Sequence, residues 1–172
     1  MTVTLAQLLG GNRAEGSVEI TGLTVDSRAV QKGDMFVALP GVIFDGRDYI
    51  GDAIKAGAVA VLTTPDVDLD CADVAVVESI NPRRRYAELA ASFFGKQPET
   101  QVAVTGTNGK TSVAEFTRQL WQLLGCNAAS VGTLGVKSAR YQLPGGLTTP
   151  DPMALHRALH VLAESDVNHV AI

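Results

Sequence analysis

Apolar positions along this chain fall into short uninterrupted runs separated by stretches with helical spacing, and that alternation predicts an α/β fold. Residues 35–39 (MFVAL), 58–62 (AVAVL) and 74–77 (VAVV) are β-prone and carry no charge, the pattern of strands buried on both faces. Between the first two, residues 52–56 read as part of a short helix that Gly57 is placed to end. Pro82 suits a first helical turn, after which Tyr86, Leu89, Ala90, Phe93 and Phe94 recur at helical spacing. Gly95-Lys96-Gln97-Pro98 then stops the helix and marks the expected domain boundary, giving domains at residues 1–98 and 99–172.

Beyond the boundary, residues 101–105 (QVAVT) predict a strand that runs straight into a Gly-rich segment. A helix follows, with Val113, Phe116, Leu120, Leu123 and Leu124 on one stripe and Gly125 at its end, and residues 128–131 read as the next strand. Strand, helix and strand in this order make a βαβ unit. A second helix is expected from Thr149-Pro150-Asp151 through Leu155, Leu159 and Leu162, leading to a strand at residues 169–172. A core-type strand with no helix after it predicts a parallel-sheet domain cut off partway. The expected architecture is a small N-terminal α/β domain followed by the start of a P-loop parallel-sheet domain.

Composition changes this picture little. At 172 residues, 46% apolar and 19% charged, the chain has the make-up of an ordinary soluble globular protein with a real core. A net charge of -4 gives no basic footprint for nucleic acid, and the one basic run, Arg83-Arg84-Arg85, reads as a solvated helix face, with phosphate or nucleic-acid binding as the alternative. Cys71 and Cys126 form neither a metal-ligand spacing nor a disulfide framework. The N-terminus does not read as a signal peptide, and no apolar stretch approaches the roughly 20 residues of a membrane span. A cytoplasmic protein without membrane insertion is expected.

The candidate chemistry lies in residues 105–112, TGTNGKTS. Phosphate oxygens need several donors converging on one point, and a strand-to-helix turn offers backbone N–H groups plus the positive end of the helix. Gly106 and Gly109 allow close backbone approach, and Thr107, Asn108 and Ser112 add polar capacity. Lys110 can reach the terminal phosphates of ATP, which makes it the candidate catalytic residue, and the Thr111 hydroxyl can ligate Mg²⁺. Val104 stands where the general P-loop pattern has its first glycine, so this is a variant loop.

TGTNGKTS resembles the ATP loop of the Mur ligases and their folylpolyglutamate synthetase relatives. VDSR at 25–28, KGDMFVALPG at 32–41, DGRDYI at 45–50, GTLG at 132–135 and LTTPDP at 147–152 resemble segments of the MurE-type branch. The resemblance covers nearly the whole chain. It implies an ATP-dependent amide ligase of peptidoglycan synthesis, in which ATP phosphorylates the terminal carboxylate of UDP-N-acetylmuramoyl-L-alanyl-D-glutamate. The amine of a diamino acid, meso-diaminopimelate or L-lysine, then displaces the phosphate. It further implies that Val25 and Ser27 hold the UDP end, that Thr148 and Thr149 contact the muramoyl-peptide portion, and that residues 106–112 hold ATP. For Asp26 and Arg28, a hydrogen-bonded turn and a ligand contact are equally open.

Two departures stand out. Val42-Ile43-Phe44 replaces a histidine-containing uridine contact of some relatives, leaving backbone or apolar stacking, and Leu147 stands where some carry asparagine. The resemblance also implies that an acidic metal ligand, a Ser-rich substrate segment, a carbamylated lysine and a C-terminal domain would lie beyond Ile172. A chain without them is expected not to ligate. A small-molecule kinase of another P-loop type and a non-catalytic nucleotide-binding module are the alternatives. His156 and His160 have the spacing of a helical metal pair, but Arg157 beside them favours packing histidines, and the same reading holds for His169. Cys126 reads as a small filler, and Trp121, Phe93 and Phe94 as core aromatics.

Overall fold

The computed structural model describes residues 1–11, 18–69, 73–145 and 151–172. By its internal contacts the chain divides into two compact units, Met1–Phe93 and Phe94–Ile172.

In the first unit, β1 (Val3–Thr4) and β2 (Glu19–Ile20) pair as a small antiparallel ribbon, with α1 (Leu5–Leu8) between them in the chain. Thr4 caps α1 in a reciprocal capping box with Gln7. The main sheet runs β3 (Gly22–Thr24), β4 (Asp34–Val37), β5 (Ala60–Thr63) and β6 (Ala75–Glu78), all parallel and in that order. Its inner strands β4 and β5 are buried at every position, which explains why they read as continuous apolar runs. α2 (Ile50–Ala56) links them and closes at Gly57 in the left-handed conformation (φ +112°). Ile50 and Ala53 on α2 pack on Phe36, Ala38 and Val61 of the sheet side to form one core. α3 (Pro82–Phe94) buries Tyr86, Leu89, Ala90 and Phe93 of the expected stripe, while Phe94 is only partly buried.

The second unit holds a mixed sheet in the order β10-β9-β8-β11-β7. Its strands are β7 (Thr100–Val102), β8 (Ala128–Gly132), β9 (Gly135–Ser138), β10 (Gln142–Leu143) and β11 (His169–Ala171). β7, β11 and β8 are parallel, whereas β8, β9 and β10 form an antiparallel meander. α4 (Lys110–Leu123) connects β7 to β8. β11 inserts between those two strands, so the first βαβ connection steps over a position that a later strand fills. α5 (Pro152–Glu164) is capped by the Asp151 carboxylate, which accepts from the Met153 N–H at 2.9 Å. Leu159 and Leu162 of α5 join Ala129, Val131 and Val170 of the sheet in the core of this unit.

The apolar stripe on α4 does not face the sheet. Val113, Phe116, Leu120, Leu123 and Leu124 are exposed, Leu123 to 84%. The face turned toward β8 and β11 instead carries the buried Ala114 and the polar residues Glu115 and Arg118. A small residue there allows close helix–sheet approach, and the polar pair is satisfied by hydrogen bonds, so the stripe read from periodicity is not the face that packs on the sheet. Phe116→Glu should therefore shift stability by no more than about 0.5 kcal/mol. Ala114→Leu should cost about 1–3 kcal/mol through overpacking. Thermal denaturation of the two variants checks this, and equal losses would contradict the assigned faces.

Candidate functional site

The Gly-rich segment sits at the carboxyl ends of three parallel strands, the usual place for ligands on an open α/β sheet. Strand β7 stops at Val102, earlier than its apolar pattern suggests, and the chain then loops to α4. The root of the loop is pinned to β11, with Val104 N–H donating to the Ile172 carbonyl at 2.7 Å and Ile172 N–H to the Val102 carbonyl at 2.8 Å. Gly106 (φ +150°) and Gly109 (φ +79°) take backbone conformations that L side chains rarely adopt. Gly109 is the residue preceding α4 and offers no side-chain cap, so the first N–H groups of a 14-residue helix are left to other partners. The other two long helices differ, because Asn81 caps α3 through the Arg84 N–H at 3.1 Å and Asp151 caps α5.

Lys110 folds over this end, its Nζ donating to the Gly106 carbonyl at 2.6 Å. Thr107, Asn108 and Ser112 are exposed on the loop and first turn. The hydroxyl of Thr111 stands 3.5 Å from that of Thr133, which lies in the turn between β8 and β9. Thus GTLG at 132–135 forms a wall facing the loop, with Ser130 and Leu134 contributing to the same recess. Magnesium fits this setting only in part. Thr111 offers a hydroxyl oxygen, and among the described residues no group of three His, Cys, Asp or Glu side chains could hold a metal by itself.

Glu115 ties the helix to the recess wall. Its carboxylate accepts from the Arg118 guanidinium, from the Ser130 hydroxyl at 2.9 Å and from the Gln119 amide at 3.2 Å. These donors, Arg118 foremost, hold its pKa down to about 2, against an ordinary value of 4.5. A lowered folded-state pKa stabilises the fold above pH 4.5, and that contribution fades as the pH falls toward 2. Glu115→Gln should therefore cost about 1–3 kcal/mol at neutral pH and flatten the acid limb of the stability curve. Denaturant titrations at pH 7 and pH 3 test this. An unchanged difference between the two pH values would contradict it.

The other predicted contacts lie in the first unit. Val25 and Ser27 follow β3 and line a cavity of about 790 Å³, within the range of small-molecule sites. Phe36 and Leu39 line it from β4 and the segment after it, and Phe44, Tyr49 and Arg83 complete its sides. Of these five, sequence reasoning names only Phe44 in connection with the site, within the stretch that stands in place of a uridine contact. Val42, Ile43 and Phe44 are strongly exposed, and of the three Phe44 reaches the cavity. Asp26 and Arg28 form a turn device, with the Asp26 carboxylate accepting from the Arg28 N–H at 3.0 Å and from its guanidinium at 2.9 and 2.8 Å. Asp45 and Arg47 repeat it at 3.0, 2.9 and 2.6 Å. Each Asp-x-Arg unit fixes a one-turn helix, Ser27–Ala29 and Gly46–Tyr49, beside the cavity. The arginine partner holds each carboxyl at about 2.

Leu147, Thr148 and Thr149 lie outside the described residues, as does Cys71. The remaining candidates pack. His160 meets the Phe94 ring at 6.1 Å, His169 meets Trp121 edge-on at 5.1 Å, and burial lowers the pKa of the half-buried His156. Among the described residues, no helix is long and apolar enough to cross a membrane.

Comparison with known proteins decides the family. Residues 19–94 match the family model described as Mur ligase family, catalytic domain, and residues 104–172 match Mur ligase middle domain. The chain belongs to the Mur ligase family. Among its relatives, the UDP-N-acetylmuramoyl-L-alanyl-D-glutamate--2,6-diaminopimelate ligase of Brucella melitensis is 53% identical over 157 residues, which are 91% of this chain and 32% of that protein. A solved structure of a ligase with the same name superimposes with a TM-score of 0.74 at 25% identity, covering all of this chain and 36% of the other. The MurF ligase of Thermotoga maritima, solved in complex with ADP, gives a TM-score of 0.51 at 28% identity over 87% of this chain and 30% of its own. This Mur ligase chain thus spans about a third of the length of the curated relatives it matches.

Proposed function

We propose that the chain carries the substrate-nucleotide and ATP sites of a ligase that joins diaminopimelate to UDP-N-acetylmuramoyl-L-alanyl-D-glutamate in peptidoglycan synthesis. Residues 1–98 would bind the UDP substrate through the cavity beside Val25 and Ser27, and residues 99–172 would bind ATP at the loop. The observation that carries this reading is the uncapped start of α4 with Lys110 folded onto it, in a chain whose relatives bear that ligase name. Division of the chain at Phe93/Phe94 supports the two-part assignment. The family membership weighs against an unrelated small-molecule kinase.

A carboxylate is a poor acyl donor, so the γ-phosphoryl group of ATP passes to the substrate carboxylate and ADP departs. The amine of the diamino acid then attacks the acyl carbon, an amide forms, and phosphate leaves with the electron pair of the broken C–O bond. Lys110 and the loop N–H groups would hold the phosphates and stabilise charge on the transferred group. Thr111, with phosphate oxygens of ATP itself, would hold Mg²⁺, whose chemistry is to neutralise that charge. Thr148 and Thr149 are proposed to contact the muramoyl-peptide portion.

The 172-residue chain is expected to bind ATP and UDP but not to ligate, since it spans about a third of its relatives. Calorimetric titration with each nucleotide, and a phosphate-release assay with all substrates present, test the two halves of this statement. Failure to bind either nucleotide overturns the site assignment. Substrate-dependent phosphate release at an enzymic rate overturns the expected inactivity.

A further inference from the structure

The basic run at the start of α3 is not one solvated face. Arg84 Nε and Arg85 donate to opposite oxygens of the same Glu88 carboxylate, at 2.9 and 3.3 Å. Arg83 points elsewhere. Its guanidinium donates to the Pro40 carbonyl at 3.2 Å and forms part of the wall of the first unit's cavity. Among the described residues no carboxylate lies within ion-pair distance of it.

Charges along the cavity wall make this arginine distinctive. Arg28 is matched by the bidentate Asp26 carboxylate. Asp52 also lines the cavity and stands 3.6 Å from Lys55. Among the described residues, Arg83 is left as the cation of the wall without an anionic partner. Of its five N–H donors, one is used by Pro40, so the planar fork has donors available for a polyvalent anion. In the lining of the same cavity, the exposed Phe44 and the half-exposed Tyr49 supply aromatic side chains. Aromatic side chains and an unmatched guanidinium in one cavity suit a ligand that carries both a flat ring and a phosphate group.

We propose that Arg83 binds the diphosphate of the nucleotide held in this cavity. The inference rests on the reading of the cavity as the UDP site and adds the residue that distinguishes a nucleoside diphosphate from a nucleoside. Arg83 is a binding residue in this scheme, while Arg84 and Arg85 serve the helix surface.

The test compares uridine and UDP as ligands of the wild-type chain and of Arg83→Gln, Arg83→Lys and Arg84→Gln, by NMR or calorimetric titration. Loss of a charge-assisted pair should weaken UDP about ten- to hundred-fold in Arg83→Gln and leave uridine unchanged. Arg83→Lys, which keeps the charge without the fork, should fall between, and Arg84→Gln should match the wild type. The salt dependence of UDP binding should also be shallower in Arg83→Gln than in the wild type. Equal UDP affinity in wild type and Arg83→Gln overturns the proposal and leaves the UDP reading intact. So does a parallel loss of uridine and UDP, which marks a structural role. Absence of UDP binding to the wild type overturns the UDP reading itself, and this proposal with it.

Discussion

Lys110→Met should weaken binding of ATP with Mg²⁺ by about ten- to hundred-fold while leaving the fold in place. The size follows from the loss of a charge-assisted hydrogen bond, about 1.5–3 kcal/mol, at 1.4 kcal/mol per factor of ten. Stability should barely change, because the side chain of Lys110 donates to an exposed loop carbonyl at Gly106, which water can replace. Methionine keeps the stem length and removes the charge. Lys110→Arg keeps the charge but brings a planar fork too broad for a loop that a single ammonium now fills, so it should also bind ATP less well than the wild type. Titration calorimetry, with thermal denaturation as the control for folding, separates these outcomes. Wild-type affinity in Lys110→Met would remove the loop from the ATP site.

Phe36→Ala should cost about 3–5 kcal/mol, a large share of the roughly 5–15 kcal/mol that holds a domain together. Phe36 lies fully buried in β4, between β3 and β5, where its ring packs with Ile50, Ala53 and Val61. Alanine would leave a cavity in the middle of a parallel sheet, where the flanking strands cannot close in. Phe36 is also one of the residues lining the cavity proposed for UDP. UDP binding should therefore fall together with the melting temperature. Phe36→Leu refills most of the volume and should recover most of the stability. Denaturant unfolding of both variants checks this ranking, and a Phe36→Ala loss below about 1 kcal/mol would contradict the packing described.

Some of this was legible from residue order because burial leaves a direct mark on it. β4 and β5 are covered on both faces, so apart from Asp34 at the start of one and Thr63 at the end of the other their sequences are apolar, and Gly57 at the end of α2 is a local stop signal. The Gly-rich loop proposed for ATP could be singled out for a similar reason, since its glycines, lysine and hydroxyls are contiguous. Strand order was not. That β11 enters between β7 and β8 depends on pairing between distant segments, and the two-residue β10 is too short for any periodicity. On α4 the stripe was real, but burial went to the small and hydrogen-bonded residues on the other side. The first unit's cavity is built from four separate stretches of chain, and nothing in three consecutive arginines distinguishes Arg83 from its neighbours until the carboxylate of Glu88 is located.

The central claim is that two nucleotide sites lie on different units, ATP on the loop of the second and UDP in the cavity of the first. Hydrogen–deuterium exchange of the chain, measured separately with ATP and Mg²⁺ and with UDP, tests it most directly. ATP is expected to slow exchange at residues 104–115, and UDP at residues 25–28 and 39–49, each leaving the other set unchanged. Protection of the loop by UDP with none around the cavity, or of the cavity by ATP with none on the loop, would contradict the account.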